Sequence, residues 1–172
     1  ETIKNYTANK KPQEDAKTAA DETINGFQGR LDNMKAELKD RGLTVCDADI
    51  NAAQALVDAL KTKVDEAYKA HTVSTLEYKG DVTTITKAID EVDDNNNHKY
   101  QAVLDNHDAY TRIVKAIDDN QKLLDAAIEE AKKESNDKKY NAYDHFTKTV
   151  NDIQAALTKL KTDADKDYKG FK

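Results

Sequence analysis

Apolar residues recur along this chain at alternating spacings of four and three, and that pattern restricts it to one fold class. Ala20, Ile24, Phe27, Leu31, Met34 and Leu38 follow it, as do Ile50, Ala53, Val57, Leu60, Val64, Ala67 and His71. At 3.6 residues per turn each set falls on one stripe of an α-helix. A half-buried strand needs alternation at a period of two, which no long segment sustains. One proline and five glycines in 172 residues are too few for a sandwich or barrel, in which a turn comes every 8–12 residues or so. The pattern therefore predicts an all-α chain.

Local signals place the boundaries. Residues 1–12 are polar, with Ile3 and Tyr6 as the only anchors, and read as an N-terminal lead-in. Pro12, followed by Gln13, Glu14 and Asp15, has the form of a helix start, because proline suits the first turn and acids there favour the helix dipole. A helix is expected over 13–41, stopped by Gly42 in the left-handed conformation. After a short linker, Thr44 with Asp47 has capping-box form, and Asp47 is an equally good N-cap. The next helix is expected over 47–72, with a break between 72 and 81 at Thr72–Val73–Ser74–Thr75 and Gly80. These two helices form a first unit, 13–80.

A second unit, 81–172, takes helices over 81–94, 98–134 and 137–168. The stripes are Tyr78, Val82, Ile85, Ile89 and Val92; then Tyr100, Val103, His107, Tyr110, Val114, Ile117, Gln121, Leu124, Ile128 and Ala131; then Tyr143, Phe146, Val150, Ile153, Leu157, Leu160 and Ala164. Asp93–Asp94–Asn95–Asn96–Asn97 favours a turn, since short polar side chains compete for backbone hydrogen bonds. The apolar phase nevertheless carries through it, so a continuous helix stays open as an alternative. Neighbours such as Leu56, Leu104, Ile113, Leu123 and Ala156 widen the stripes beyond a two-stranded seam. The expected architecture is an elongated antiparallel bundle of four to five long amphipathic helices, which may be continuous, with coiled-coil-like packing and a thin, alanine-rich core.

Segments 50–70 and 150–170 align without gaps. Asn51, Gln54, Ala55, Leu60, Lys61, Thr62, Asp65, Tyr68 and Lys69 each meet the same residue one hundred positions later. Heptad similarity alone would match apolar positions, whereas most of these are polar or charged, so an internal repeat of about one hundred residues is the better reading. In this respect the chain resembles a spectrin-like or bacterial adhesin-stalk array. The likeness is one of architecture, rests on no motif and carries over no functional residues.

The net charge is −6, with 27 basic and 33 acidic residues interleaved throughout. That argues against a phosphate-backbone binder, which concentrates basic residues on one face. No apolar run approaches a membrane span. No glutamate has a histidine three residues on, which excludes the carboxylate-bridged di-metal bundles. Asp93, Asn95 and Asn97 imitate the start of a calcium loop, but His98 stands where glycine is needed and Leu104 where a glutamate is needed.

His71 and His107 lie on apolar stripes and read as buried or half-buried residues bonded to a neighbouring helix; His98 and His145 read as exposed. Cys46 is alone, so neither a disulfide framework nor a cysteine metal site is expected. It reads as a small apolar linker residue. Gly26 and Gly29 sit within a helical pattern and suggest a close helix crossing or a kink. Tyr68, Tyr100, Tyr110 and Tyr143 read as caps on core layers; Tyr6, Tyr78, Tyr140 and Tyr168 are candidates for a contact surface.

No catalytic, cofactor-binding or metal-ligating residues emerge. Glu1 at the start is compatible with a processed mature protein or with an excised piece of one. The excess of Lys over Arg and of Asp over Glu resembles bacterial surface proteins. The function expected is that of a non-catalytic structural or adhesive module, a spacer or interaction segment of a larger cell-surface or secreted protein. Its partners would be another protein or neighbouring repeats. The alternative is an amphipathic bundle binding lipid or a small ligand.

Overall fold

A computed structural model describes the backbone over residues 2–93, 99–138 and 142–171, and side chains over 9–93, 99–134 and 146–171. Among these residues there are five α-helices and no strand: α1 (Thr2–Asp40), α2 (Asp47–Lys69), α3 (Lys79–Val92), α4 (Lys99–Lys138) and α5 (Ala142–Asp167). A 3-10 turn, Val73–Thr75, joins α2 to α3. The chain divides into two compact units, Glu1–Ala102 and Val103–Lys172. The helix reading of the apolar stripes is therefore correct.

In the first unit, α1 and α2 form an antiparallel hairpin and α3 packs against both. α3 thus belongs with α1 and α2, where the sequence grouped it with the residues after 81. All six stripe residues of α1 are buried, and so are Ile50, Ala53, Val57, Leu60, Val64 and Ala67 of α2, with Ile85, Ile89 and Val92 of α3. Leu31, Leu38, Ile50, Leu60, Ile85 and Ile89 are enclosed almost completely. Each contributes roughly 1.5–3 kcal/mol by leaving water.

The hairpin turn is built as expected at Gly42, whose φ is +67°. The Leu43 N–H donates to the Leu38 carbonyl at 2.9 Å, and the Gly42 N–H donates to the Lys39 carbonyl at 3.0 Å. This is the paired-bond helix stop that a left-handed residue permits. α2 ends with the same device: Thr72 N–H donates to the Ala67 carbonyl at 2.8 Å and His71 N–H to Tyr68 at 3.0 Å. Here the left-handed residue is His71, at φ +56°. The expected break between 72 and 81 follows from this stop.

Three local expectations are corrected. α1 does not start at Pro12 but runs from Thr2 through it, so residues 2–12 are helix and not a lead-in. Proline removes one backbone donor from a helix interior, and the helix continues on its N-terminal side all the same. Cys46, and neither Thr44 nor Asp47, is the N-cap residue of α2, without a capping side chain; Asp47 and Asp49 sit in the first turn, where they favour the dipole. No atom lies within 4 Å of where a Cβ would stand at Gly26 or Gly29, so neither glycine serves a close helix crossing. α3 stops at Val92 with Asp93 as its C-cap; the choice between turn and continuous helix at 93–97 falls on 94–98, outside the described residues.

The second unit is the antiparallel hairpin of α4 and α5. Ile117, Leu124 and Leu157 form its core, with Ile113, Ile128 and Val150 packed around them half-buried. Its core is thinner than that of the first unit.

Candidate interaction surface

The residues singled out for chemistry do not converge. His71 is exposed at the end of α2, contrary to its stripe position, because the left-handed backbone turns it off the helix. His107 is half-buried as expected, its Nδ1 at 2.5 Å from the Phe171 carbonyl, which ties α4 to the segment after α5. His98 lies outside the described residues, and His145 outside the described side chains. Cys46 is buried and free. Burial, followed by the nearby Asp49 and Asp47, pushes its thiol pKa up, which opposes thiolate reactivity. Among the described residues, no three His, Cys, Asp or Glu side chains come together to hold a metal ion. None of the helices searched is long and apolar enough to cross a membrane.

The tyrosines divide unevenly. Tyr100 is buried as a layer cap. Burial first, and then its hydrogen bond to Glu37 at the end of α1, raise its pKa strongly. Tyr68 is more exposed than a cap residue. Tyr110 donates to Asp165 Oδ1 at 2.7 Å across α4 and α5 and packs against Tyr168 with ring centroids 6.1 Å apart. Tyr6, Tyr140 and Tyr143 are outside the described side chains.

One buried polar residue was not foreseen. Gln13 on α1 donates through Nε2 to Ser74 Oγ at 2.7 Å and accepts the Ser74 N–H at 3.2 Å. It fastens the 3-10 turn to α1 and leaves its own amide satisfied. Its only sequence signal is a polar residue four positions before Lys17 on the edge of a stripe, which does not distinguish it from a solvated one.

The two hairpins share one cross-helix contact, a glutamine pair, and each places a polar contact to an aspartate at the same register. In the first, Gln28 and Gln54 exchange amide hydrogen bonds at 3.0 and 2.7 Å, and Gln28 also donates to Asp32 at 2.8 Å. In the second, Gln121 and Gln154 exchange bonds at 2.8 Å in both directions, and Gln121 donates to Asp125 at 2.9 Å. One step further from the tip, Lys17 pairs with Asp65 at 3.0 Å, and Tyr110 bonds Asp165 at 2.7 Å. Gln28 to Gln121 and Lys17 to Tyr110 are both offsets of 93; Gln54 to Gln154 and Asp65 to Asp165 are both offsets of 100. At the offset of 93, Asp15, Ala16, Thr18, Ile24, Gln28, Leu31, Asp32, Glu37 and Lys39 also meet their own residue types. The second hairpin is longer by seven residues between its glutamines, 33 against 26, which is about two helical turns.

The two hairpins differ in what covers them. Positions 57 and 64 of α2, and 157 and 164 of α5, are buried alike. Leu60 is 2% exposed and Leu160 53%; Ala53 is 0% and Ile153 42%; Cys46 is 5% and Phe146 54%. On α4, Leu123 is 69% exposed. It stands at the register position of Arg30, whose guanidinium reaches Asp90 of α3 at 2.7 Å. Lys63, three residues after Leu60, pairs with Asp81 of α3 at 2.7 Å, and a shallow groove between them is lined by Leu56, Leu60, Thr84 and Ile85. The exposed apolar residues of the second hairpin therefore include the register equivalents of residues that α3 covers or contacts in the first. No protein-family model, no curated protein and no solved structure matches this chain.

Proposed function

We propose that this chain is a non-catalytic structural or adhesive module, a spacer or interaction segment of a larger bacterial cell-surface or secreted protein. The observation that carries the reading is a pair of helical hairpins with the same glutamine pair, and with an outer polar contact to an aspartate, at matched offsets. Paired offsets of 93 and 100, shared by polar contacts and by sequence identities, support a duplicated unit better than generic heptad similarity does. Repetition of a helical unit suits proteins whose task is reach and presentation of a surface. The elongated, spectrin-like arrangement belongs to this proposal.

Small-angle X-ray scattering with mass determination on the isolated chain tests it. A compact domain of 172 residues has a radius of gyration of roughly 16 Å. The spacer reading expects a monomer with a clearly larger value. A monomer at the compact value would contradict it.

A further inference from the structure

We infer that the open face of the α4–α5 hairpin is a docking site for one amphipathic α-helix of a partner protein, seated as α3 is seated on α1 and α2. The inference rests on the proposed equivalence of the two hairpins and adds to it the chemistry of the occupant. In the first unit α3 contributes Ile85, Ile89 and Val92, all buried, spaced four and three along one stripe. It is flanked by Asp81, which meets Lys63, and by Asp90, which meets Arg30.

The second hairpin offers the same face with two changes. Asp163, which pairs along α5 with Lys159 in an exposed ion pair, stands at the position of Lys63, and Leu123 at the position of Arg30. The fitting helix therefore keeps the aliphatic stripe, carries a lysine or arginine where α3 has Asp81, and carries an aliphatic residue where α3 has Asp90. Leu123, Ile153 and Leu160 supply the apolar contact. Burying three such side chains is a large gain for a short helix, and helix-in-groove recognition through anchors at these spacings is a common mode of protein binding.

The test extends the full chain beyond Lys172 with a second copy of residues 70–92 carrying Asp81→Lys and Asp90→Leu, so that effective concentration favours docking. Hydrogen exchange over residues 146–167 is compared with the same chain carrying the extension in scrambled order. The expected result is slowing by at least about tenfold, lost on Leu160→Asp in the parent hairpin and reduced when the extension keeps Asp81 and Asp90. Leu160 is half-exposed, so the substitution leaves the hairpin intact, which circular dichroism checks.

Equal exchange with the designed and scrambled extensions overturns the inference. So does a doubling of mass of the unextended chain that Leu160→Asp abolishes, which assigns the face to a second copy. Flotation of the unextended chain with anionic phospholipid vesicles, lost in the same variant, overturns it in favour of a lipid surface. Neither equal exchange nor vesicle flotation alters the scattering result, so failure of docking is distinguishable from failure of the spacer reading; a doubled mass alone counts against both.

Discussion

At the scale of single residues, three glycines separate two roles that composition cannot tell apart. Gly42 holds φ +67° at the end of α1, a conformation that costs an L-residue roughly 1–2 kcal/mol. Gly26 and Gly29 lie in the helix with open space around them and weaken it by about 1 kcal/mol each relative to alanine. Gly42→Ala should lower the urea midpoint of the first unit, whereas Gly26→Ala and Gly29→Ala should each raise it. A lowered midpoint for either helical glycine would indicate a contact that the structure does not contain. Tyr100 gives a pH prediction. Its pKa is raised by burial and by Glu37, so its contribution is fully present below the unfolded value near 10 and is lost as pH rises above it. Lys17 acts in the same direction: burial lowers its pKa, but hydrogen bonds to Asp21 and Asp65 outweigh this and the net shift is upward. Stability should fall between pH 9 and 11, and Tyr100→Phe should flatten that fall in urea titrations at the two pH values. An unchanged slope would mean that the tyrosine does not carry it.

At the scale of elements, the periodicity of the apolar residues was enough to identify each helix, since a stripe at 3.6 residues per turn is a local property. α2 was expected over 47–72 and spans Asp47–Lys69; the difference is the stop at His71. That stop was not legible because histidine carries no strong signal for the left-handed conformation, unlike Gly42. The continuation of α1 through Pro12 was missed because proline suits a first turn and the residues before it form no stripe. The Gln13–Ser74 clasp joins residues 61 apart, a separation to which local pattern is blind. The uneven burial of Leu60 and Leu160 was illegible for a related reason. Both lie on stripes of the same form, and only a third helix distinguishes them. Leu60→Ala should cost about 2–5 kcal/mol, as expected for a fully enclosed leucine. Leu160→Ala should cost less than about 1 kcal/mol in its own unit, since much of the side chain already meets water. Chemical denaturation of the two variants separates them, and equal losses would contradict the assignment of α3 as the cover of Leu60 alone.

At the scale of the whole molecule, α3 packs on the α1–α2 hairpin of the first unit, while Leu123, Ile153 and Leu160 stand exposed on the α4–α5 hairpin of the second. The most enclosed large side chains, Leu31, Leu38, Ile50, Leu60, Ile85, Ile89, Val57, Val64 and Val73, all belong to the first unit. In the second unit Ile117, Leu124 and Leu157 cluster with 7–8% exposure each, and Val103, Leu104 and Ala164 are also buried. The first unit also gains ion pairs between helices, Lys17 with Asp65, Arg30 with Asp90 and Lys63 with Asp81. These are half-exposed and contribute about 0.2–1 kcal/mol each, so the difference in core burial dominates. Opening free energies follow buried apolar contact, and cooperative units exchange their amides accordingly. The most direct measurement is hydrogen exchange on the intact chain, comparing the amides of α2 with those at matched register in α5. α5 should exchange at least about tenfold faster than α2. Equal protection of the two helices, or slower exchange in α5, would contradict it.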